Sequence, residues 1–319
     1  MAGERRALAK AITLIESTRA DHQQQAEALL TGLLPHTGQA IRIGISGAPG
    51  AGKSTFIEAL GLWLIEQGKK LAVLAVDPSS SINGGSILGD KTRMERLCQQ
   101  DRAFIRPSPA AGSLGGVAEK TREAMLLCEA AGFEVIIVET VGVGQSEISV
   151  AGMVDCFTLL QLPNAGDDLQ AIKKGIVELA DVVLINKSDI NPQAAALTRA
   201  QWRNALALLT PAAPGWRPPV LNISALQKAG VDKYWSIIMD YRSKMSASGN
   251  WQKKRQQQSL AWMWQCIDSG LRQHFQQHRG VSTQLQTIAA AVRRGELAPT
   301  HAARQLLEKS RSPCDDAAS

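Results

Sequence analysis

Cysteine is scarce in this chain of 319 residues. Its five cysteines are odd in number and far apart in the sequence: Cys98, Cys128, Cys156, Cys266 and Cys314. A disulfide-stabilised secreted protein has an even number of cysteines, and a cysteine-type zinc site has closely spaced pairs. The sequence therefore predicts neither a disulfide framework nor a zinc site of this type, and it fits the reducing cytoplasm.

Long apolar runs are also absent. The longest are strand-sized, such as Leu71–Val76, whereas a membrane-spanning helix needs about 20 apolar residues. The first residues read Met-Ala-Gly-Glu-Arg-Arg and lead into a mixed helical pattern without the apolar centre of a signal peptide. We therefore expect a globular protein that acts in the cytoplasm and has no membrane partner.

The positive charge is unevenly distributed. The formal net charge is +6, yet the segment from Tyr241 to the end has 12 Lys and Arg against 5 Asp and Glu. These charges are spread out and no nucleic-acid recognition motif accompanies them, so we do not expect a nucleic acid as partner. A solvated surface and an acidic partner remain the alternatives for this basic tail.

The hydrophobic pattern predicts an α/β domain over residues 40–246, preceded by a helical extension over 1–39. Short apolar runs alternate there with helix-length segments. The runs predict six strands: Ile41–Ser46, Leu71–Val76, Val135–Glu139, Phe157–Leu162, Val182–Asn186 and Val220–Ser224. Because they are continuous rather than alternating, they indicate a mainly parallel sheet that helices cover on both faces.

Residues 247–319 change to a purely helical pattern. A first apolar stripe has helical spacing: Leu260, Trp264, Ile267, Leu271 and Phe275. A second stripe follows at Leu285, Ile288 and Val292. We expect Gly280 to end the first helix, Thr300 to cap a third, and the chain beyond Ser310 to be frayed. Two or three helices cannot bury such stripes alone, so the arm is expected to pack on the main domain or on a second copy.

The strongest motif is at residues 47–54. It reads Gly-Ala-Pro-Gly-Ala-Gly-Lys-Ser and matches the phosphate-binding loop, or P-loop, between a predicted strand and a helix through about Gly68. Its backbone N–H groups and the helix N-terminus attract phosphate, Lys53 neutralises phosphate charge, and Ser54 is a ligand for Mg²⁺. The predicted nucleotide-binding residues are Gly47, Ala48, Pro49, Gly50, Ala51, Gly52, Lys53, Ser54 and Thr55.

A second motif indicates guanine. Asn186-Lys187-Ser188-Asp189 follows a predicted strand, and the Asp189 carboxylate can accept hydrogen bonds from both N1–H and the exocyclic amine of guanine. At about 1.5–3 kcal/mol for each charged hydrogen bond, these contacts favour guanine strongly over adenine. The expected guanine-binding residues are Asn186, Lys187 and Asp189, with backbone N–H groups from Ser224, Ala225 and Leu226 facing the guanine carbonyl.

A third feature lies at Glu139, the acid that ends an apolar strand. Gly142 follows, and its N–H is placed to sense a γ-phosphate. Glu139 is one methylene longer than the aspartate that most signalling GTPases have there. We expect it to reach Mg²⁺ through water or to orient a water molecule.

Together these motifs resemble the G3E family of P-loop GTPases, which deliver metals or cofactors. Three longer blocks resemble its MeaB/ArgK branch, and the resemblance covers roughly residues 1–280. The blocks are Asp77–Ser80, Gly84–Met94 and Leu162–Gln170. The nickel and zinc delivery branches have His-rich or Cys-x-Cys-Cys segments, which this sequence lacks.

The MeaB/ArgK branch comprises GTPase chaperones of adenosylcobalamin-dependent methylmalonyl-CoA mutase. The resemblance implies that Mg²⁺ is held by Ser54, Asp77, Asp90 and Glu139. It also implies a homodimer formed by the C-terminal arm and no cobalamin bound directly. Lys53, Asp90 and Glu139 are then the catalytic candidates, and Gln170 and Lys173 are the candidates for a switch that contacts the mutase.

Two other functions remain open. An older name for this branch describes a kinase of amino-acid transport, and a P-loop alone permits phosphoryl transfer from ATP to a protein or a small molecule. A nucleotide-gated scaffold with negligible hydrolysis is the other. Since no arginine stands at a diagnostic position to stabilise the transition state, we expect a slow GTPase that a partner accelerates.

Overall fold

The computed structural model describes residues 5–76, 94–107, 114–140, 145–163, 174–211 and 213–311. The chain divides into two compact units, and the boundary falls after Gln258. The segment beyond Ser310, which we expected to be frayed, lies outside the described residues except for Arg311.

The first unit is built on a parallel sheet. Among the described residues it has seven strands: β1 Ile41–Gly47, β2 Leu71–Val76, β3 Ala103–Arg106, β4 Val135–Thr140, β5 Cys156–Gln161, β6 Val182–Ile185 and β7 Val220–Asn222. Their order is β3-β2-β4-β1-β5-β6-β7, and all neighbours are parallel. The predicted α/β class is confirmed, and the six predicted strands agree within two residues at each end. Strand β3 was missed because it is short and ends in the polar Arg106.

Helices surround the sheet and continue into the second unit. They are α1 Arg5–Ile15, α2 Ala20–Leu33, α3 Lys53–Glu66, α4 Glu95–Cys98, α5 Leu114–Ala130, α6 Gln145–Ala151, α7 Lys174–Val177, α8 Pro192–Ala207, α9 Val231–Ala247, α10 Asn250–Gln277, α11 Arg279–Arg293 and α12 Pro299–Arg311. None of the helices that the structure describes is both long enough and apolar enough to cross a membrane.

The strands are apolar on both faces because each face packs against helices. On one face, β1 residues such as Ile43 join a core with Phe56 of α3 and Tyr234 of α9. On the other face, β4 residues such as Ile136 join a core that includes Ile12 of α1. Since Ile12 is fully buried, the N-terminal helices form part of the packing on this second face.

At the amino ends of the strands, α10 is held by buried charges. The Arg255 guanidinium donates to both oxygens of the Asp155 carboxylate at 2.7 and 2.6 Å, and it also donates to the carbonyl of Ala40 at 2.6 Å. Lys254 contacts the carboxylate of Asp181 at 3.5 Å. Burial raises the pKa of Asp181, and the Lys254 ammonium opposes this rise. The first turns of α10 therefore belong to the first unit.

The second unit is largely a helical hairpin. Val281 and Ile288 of α11 pack against Ala302 and Leu306 of α12 in a small core. The expectation that both C-terminal stripes need outside cover was therefore wrong for the second stripe, which α12 covers. The first stripe stays exposed, with Leu260, Trp264 and Leu271 retaining 58, 60 and 63% of their accessible surface.

Gly280 and Thr300, which we predicted to be at helix boundaries, have other roles in the structure. Gly280 lies in the first turn of α11 and not at the end of α10. A side chain there would approach the Lys309 carbonyl of α12 to 3.3 Å, so glycine permits the close packing of the hairpin. Thr300 lies inside α12, because Pro299 takes the first position, where its missing N–H has no cost.

Candidate nucleotide-binding site

The predicted site residues gather at the carboxyl edge of the sheet. Strand β1 lies between β4 and β5. Strands β2 and β3 lie on the β4 side of β1, and β6 and β7 lie on the β5 side, so the direction of the strand order changes at β1. Ligands of open α/β sheets bind at such a switch point. The register places Glu139 of β4 beside Ile45 of β1 and Ala75 of β2, so the ends of these three strands form one platform.

The P-loop connects the last residue of β1, Gly47, to the first residue of α3, Lys53. The Lys53 side chain is buried and folds back over the loop, where its ammonium donates to the Gly47 carbonyl at 2.7 Å and to the Ala48 carbonyl at 3.3 Å. The loop therefore curls around a cation at the N-terminus of a 14-residue helix. Both features attract anions.

Gly52 is required at its position for two reasons. Its φ of +87° lies in the left-handed region that favours glycine. In addition, a Cβ there would lie 2.6 Å from the amide nitrogen of Asn186. The last glycine of the P-loop therefore allows the loop to approach the guanine motif.

Asn186 links the two motifs directly. Its buried side-chain amide donates to the Ala51 carbonyl of the P-loop at 2.8 Å, and its carbonyl oxygen accepts from the Ala225 N–H at 3.0 Å. Ala225 follows β7, so one side chain joins three loops of the carboxyl edge. In this structure the Ala225 N–H, which we expected to face the guanine carbonyl, has Asn186 as its partner.

The rest of the guanine motif is held against β7. The Ser188 N–H and hydroxyl both donate to the Ile223 carbonyl, at 3.1 and 2.8 Å. Lys187 has a φ of +59°, which is uncommon for a residue with a side chain and lets the chain turn sharply after Asn186. In the described part of the chain, nothing hydrogen-bonds to the half-buried Asp189 carboxylate.

The neighbouring loop is also well defined. Ser224 and Ala229 exchange two backbone hydrogen bonds at 3.1 and 3.0 Å, and the Ser224 hydroxyl accepts from the Gln227 N–H at 3.2 Å. The Leu226 side chain is 81% exposed. The group of Leu226 that we expect to contact guanine is therefore its backbone N–H and not its side chain.

The third predicted element supplies oxygen ligands. The Ser54 hydroxyl donates to the Glu139 carboxylate at 2.9 Å, and Glu139 is nearly buried. A hydroxyl and a carboxylate at one point of a phosphate site are hard oxygen donors of the kind that Mg²⁺ prefers. The residues present therefore fit a magnesium ion.

Sequence reasoning missed one pair beside these residues. The Thr140 hydroxyl donates to the Ser46 hydroxyl at 2.9 Å, and both side chains are buried. This bond joins the ends of β4 and β1 directly below the P-loop. No motif signals it, because the two residues are 94 positions apart.

The structure thus brings Lys53, Ser54, Glu139, Asn186 and Asp189 to one edge. Five other candidates lie outside the described residues: Asp77, Asp90, Gly142, Gln170 and Lys173. Their predicted roles in magnesium binding, phosphate sensing and partner contact stay predictions.

Comparisons with known proteins give this site a context. A family model described as methylmalonyl Co-A mutase-associated GTPase MeaB matches residues 8–279. A protein of Caulobacter vibrioides whose name describes a GTPase is 56% identical over 96% of this chain and 94% of its own length. The GTPase ArgK of Escherichia coli is 48% identical over 96% of this chain and 93% of its own length.

A solved structure is also similar. The crystal structure of a protein named LAO/AO transport system kinase is 42% identical and superposes with a TM-score of 0.77. The match covers 98% of this chain and 95% of that chain.

The substitution Gly52→Ala tests the approach of the P-loop to Asn186. We expect GDP affinity to fall at least about tenfold, which corresponds to about 1.4 kcal/mol, because the new methyl group displaces the Asn186 amide. Gly132→Ala is the matched control: its φ is +84°, but no atom lies within 4 Å of the new Cβ. It should cost stability and leave GDP affinity unchanged, as measured by calorimetric titration. Equal GDP affinities for the two variants would contradict this assignment.

Proposed function

This chain belongs to the MeaB family of methylmalonyl Co-A mutase-associated GTPases, and we propose that it is a nucleotide-gated chaperone of methylmalonyl-CoA mutase. The resemblance seen in the sequence motifs is thereby confirmed, and the chain is a GTPase. In our proposal, its GTP- and GDP-bound states make different contacts with the mutase. Those contacts control the loading or protection of adenosylcobalamin, which the GTPase itself does not bind.

The observation that carries the nucleotide part of this proposal is the position of Asn186. Its amide joins the P-loop at Ala51 to the loop at Ala225. Phosphate and base recognition therefore occur at a set distance from each other. Asp189, three residues further along, is the group that we assign to the guanine N1–H and amine.

The phosphate-binding roles follow from the P-loop. Lys53 donates to two loop carbonyls, and we propose that it donates to β- and γ-phosphate oxygens when GTP is bound. Glu139 is our candidate for orienting the attacking water, with Asp90 as the alternative. Gly142 would sense the γ-phosphate through its N–H.

We also propose a magnesium ion in this site. Ser54 and Glu139 would hold it, together with Asp77 and Asp90. When bound, the ion neutralises charge that develops on the phosphates. The Ser54–Glu139 hydrogen bond supports this assignment because it places two oxygen donors together.

The C-terminal arm supports a second part of the proposal, a homodimer. The stripe on α10 exposes Leu260, Trp264, Ile267 and Leu271 on one helical face. Exposed apolar stripes of this kind mark interaction surfaces, and aromatic residues such as Trp264 are enriched in the centres of interfaces. We propose that a second copy covers this stripe.

A kinase remains the second candidate function. A relative of known structure is named a transport system kinase, and a P-loop is compatible with phosphoryl transfer. We favour a GTPase because the kinase alternative uses ATP, whereas Asp189 in the guanine motif favours GTP. We also propose that the protein acts in the cytoplasm, where cysteines stay reduced.

The substitution Asp189→Asn tests guanine recognition. An amide keeps one acceptor and gains a donor, so GTP affinity should fall about 10-fold to 100-fold. Xanthosine triphosphate has a carbonyl where guanine has its amine and should therefore bind the variant better than the wild type. Asp232→Asn, at an exposed carboxylate of α9, is the control and should change neither affinity. Competition binding measures the affinities for GTP and for xanthosine triphosphate. An unchanged preference for GTP in Asp189→Asn would show that Asp189 does not contact the base.

The chaperone proposal predicts that the mutase accelerates hydrolysis. We expect turnover of GTP alone to be below about 0.1 per second, turnover of ATP to be slower, and GTP turnover to rise when adenosylcobalamin-dependent methylmalonyl-CoA mutase is added. Gln170→Ala and Lys173→Ala should keep the basal rate and lose the stimulation, whereas Lys233→Ala, at an exposed lysine of α9, should keep both.

The same phosphate-release assay separates the alternatives. A GTP rate that the mutase does not change would remove the mutase as partner and leave the GTPase intact. A preference for ATP with transfer of label to an acceptor would establish the kinase. Binding of nucleotide without measurable turnover would favour the scaffold.

The double substitution Trp264→Glu and Leu271→Glu tests the homodimer. Both side chains are more than half exposed, so the fold should tolerate the charges while a self-associating surface should not. We expect light scattering to give a dimer for the wild type and a monomer for the variant. Leu208→Glu, at an isolated leucine that is 87% exposed, should remain dimeric. A dimeric double variant would place the interface elsewhere.

A further inference from the structure

A cavity lies in the first unit, beside the edge strand β7. It has a volume of about 560 Å³ and lies between α8 and the chain that leads into β7. Its apolar walls include Leu206, Leu209 and Val220, and its charged residues are Arg199, Arg203 and Arg217. The cavity reaches β7 at its first residue, and no residue of the P-loop or guanine motif lines it.

Among the residues that the structure describes, the three arginines have no acidic counterpart. No described acidic residue lines the cavity, and none of the three arginines forms an ion pair with another described residue. Arg199 and Arg203 lie one turn apart on α8, where like charges repel and destabilise a helix. Elsewhere in this unit, Arg42, Arg106 and Arg255 are each paired with a carboxylate. All three cavity arginines are exposed, so water solvates them and an anion can reach them. A bound anion would reduce the repulsion between Arg199 and Arg203.

We propose that this cavity binds a small organic pyrophosphate, a ligand with two linked phosphoryl groups and a largely apolar or planar body. Guanidinium groups bind phosphate oxygens through paired hydrogen bonds. A single carboxylate would balance one of the three charges, whereas two phosphoryl groups carry at least two negative charges. Leu206, Leu209 and Val220 line the cavity and provide apolar contacts for the body of the ligand.

The shape of the site favours a small molecule over an acidic peptide. A volume of about 560 Å³ is within the range of cavities that enclose small ligands. The adjoining edge strand β7 has three residues, and Pro218 and Pro219 precede it. Because proline has no N–H and such short edges resist strand addition, an extended peptide would gain few backbone hydrogen bonds there.

The test uses the full chain saturated with GDP, so that the P-loop is occupied. Coenzyme A and inorganic pyrophosphate are titrated separately by calorimetry. Coenzyme A serves as probe because it has a pyrophosphate, a planar adenine and no guanine. We expect it to bind with a stoichiometry of one per chain and at least about tenfold more tightly than inorganic pyrophosphate, since only coenzyme A contacts the apolar walls.

Arg199→Gln with Arg203→Gln should weaken coenzyme A binding at least about 100-fold, the loss of two charged hydrogen-bonding groups. The control, Arg304→Gln, removes an exposed arginine of α12 and should change nothing. All variants should keep the GTPase rate of the wild type, which shows that they are folded and separates this site from the catalytic one.

Three results would overturn the proposal. The first is no binding of coenzyme A, or binding that survives the double substitution. The second is equal affinity for inorganic pyrophosphate, which would mean that the apolar walls take no part. The third is binding of a glutamate peptide, lost in the double variant, without binding of coenzyme A, which would assign the arginines to an acidic protein partner.

Discussion

The candidate nucleotide site depends on the hydrogen bonds of the buried Asn186 side chain. This side chain connects the P-loop at Ala51 with the loop that follows β7 at Ala225. Gly52 makes the connection possible, because any larger residue would occupy the space of the Asn186 amide. The two halves of the candidate site come from distant parts of the chain, so this bond sets the distance between the P-loop and the loop that contains the guanine motif.

The carboxyl ends and the amino ends of the parallel strands have different roles in this protein. At the carboxyl edge, the strands end in loops whose backbone N–H groups and polar side chains are available for a ligand. At the amino edge, buried charges hold the start of α10: Arg255 is bound to Asp155, and Lys254 lies beside Asp181. Burying such charges is costly unless they are paired. The chain therefore uses its buried ion pairs for anchoring, away from the site of chemistry.

Two exposed surfaces of the described chain point to partners. The apolar stripe on α10 stays exposed although the second stripe, on α11, is covered by α12. No described carboxylate pairs with the arginines around the β7 cavity, although other arginines of the same unit are paired. In both places the described chain provides the interaction surface but not the group that would satisfy it. The first surface suits a second copy, and the second suits an anionic ligand.

The sequence by itself determined the elements whose cause is local. The P-loop, the guanine motif and six strands follow from residue types at short spacings, and these motifs also identified the family. Tertiary structure alone decided the Asn186 bridge, the Arg255–Asp155 pair and the placement of β3. It also decided that the second C-terminal stripe is covered and that the first is exposed. Each of these depends on residues that are far apart in the chain, as Asn186 and Ala51 are, separated by 135 positions. Periodicity shows that a face is apolar, but only the packed fold determines which surface covers it.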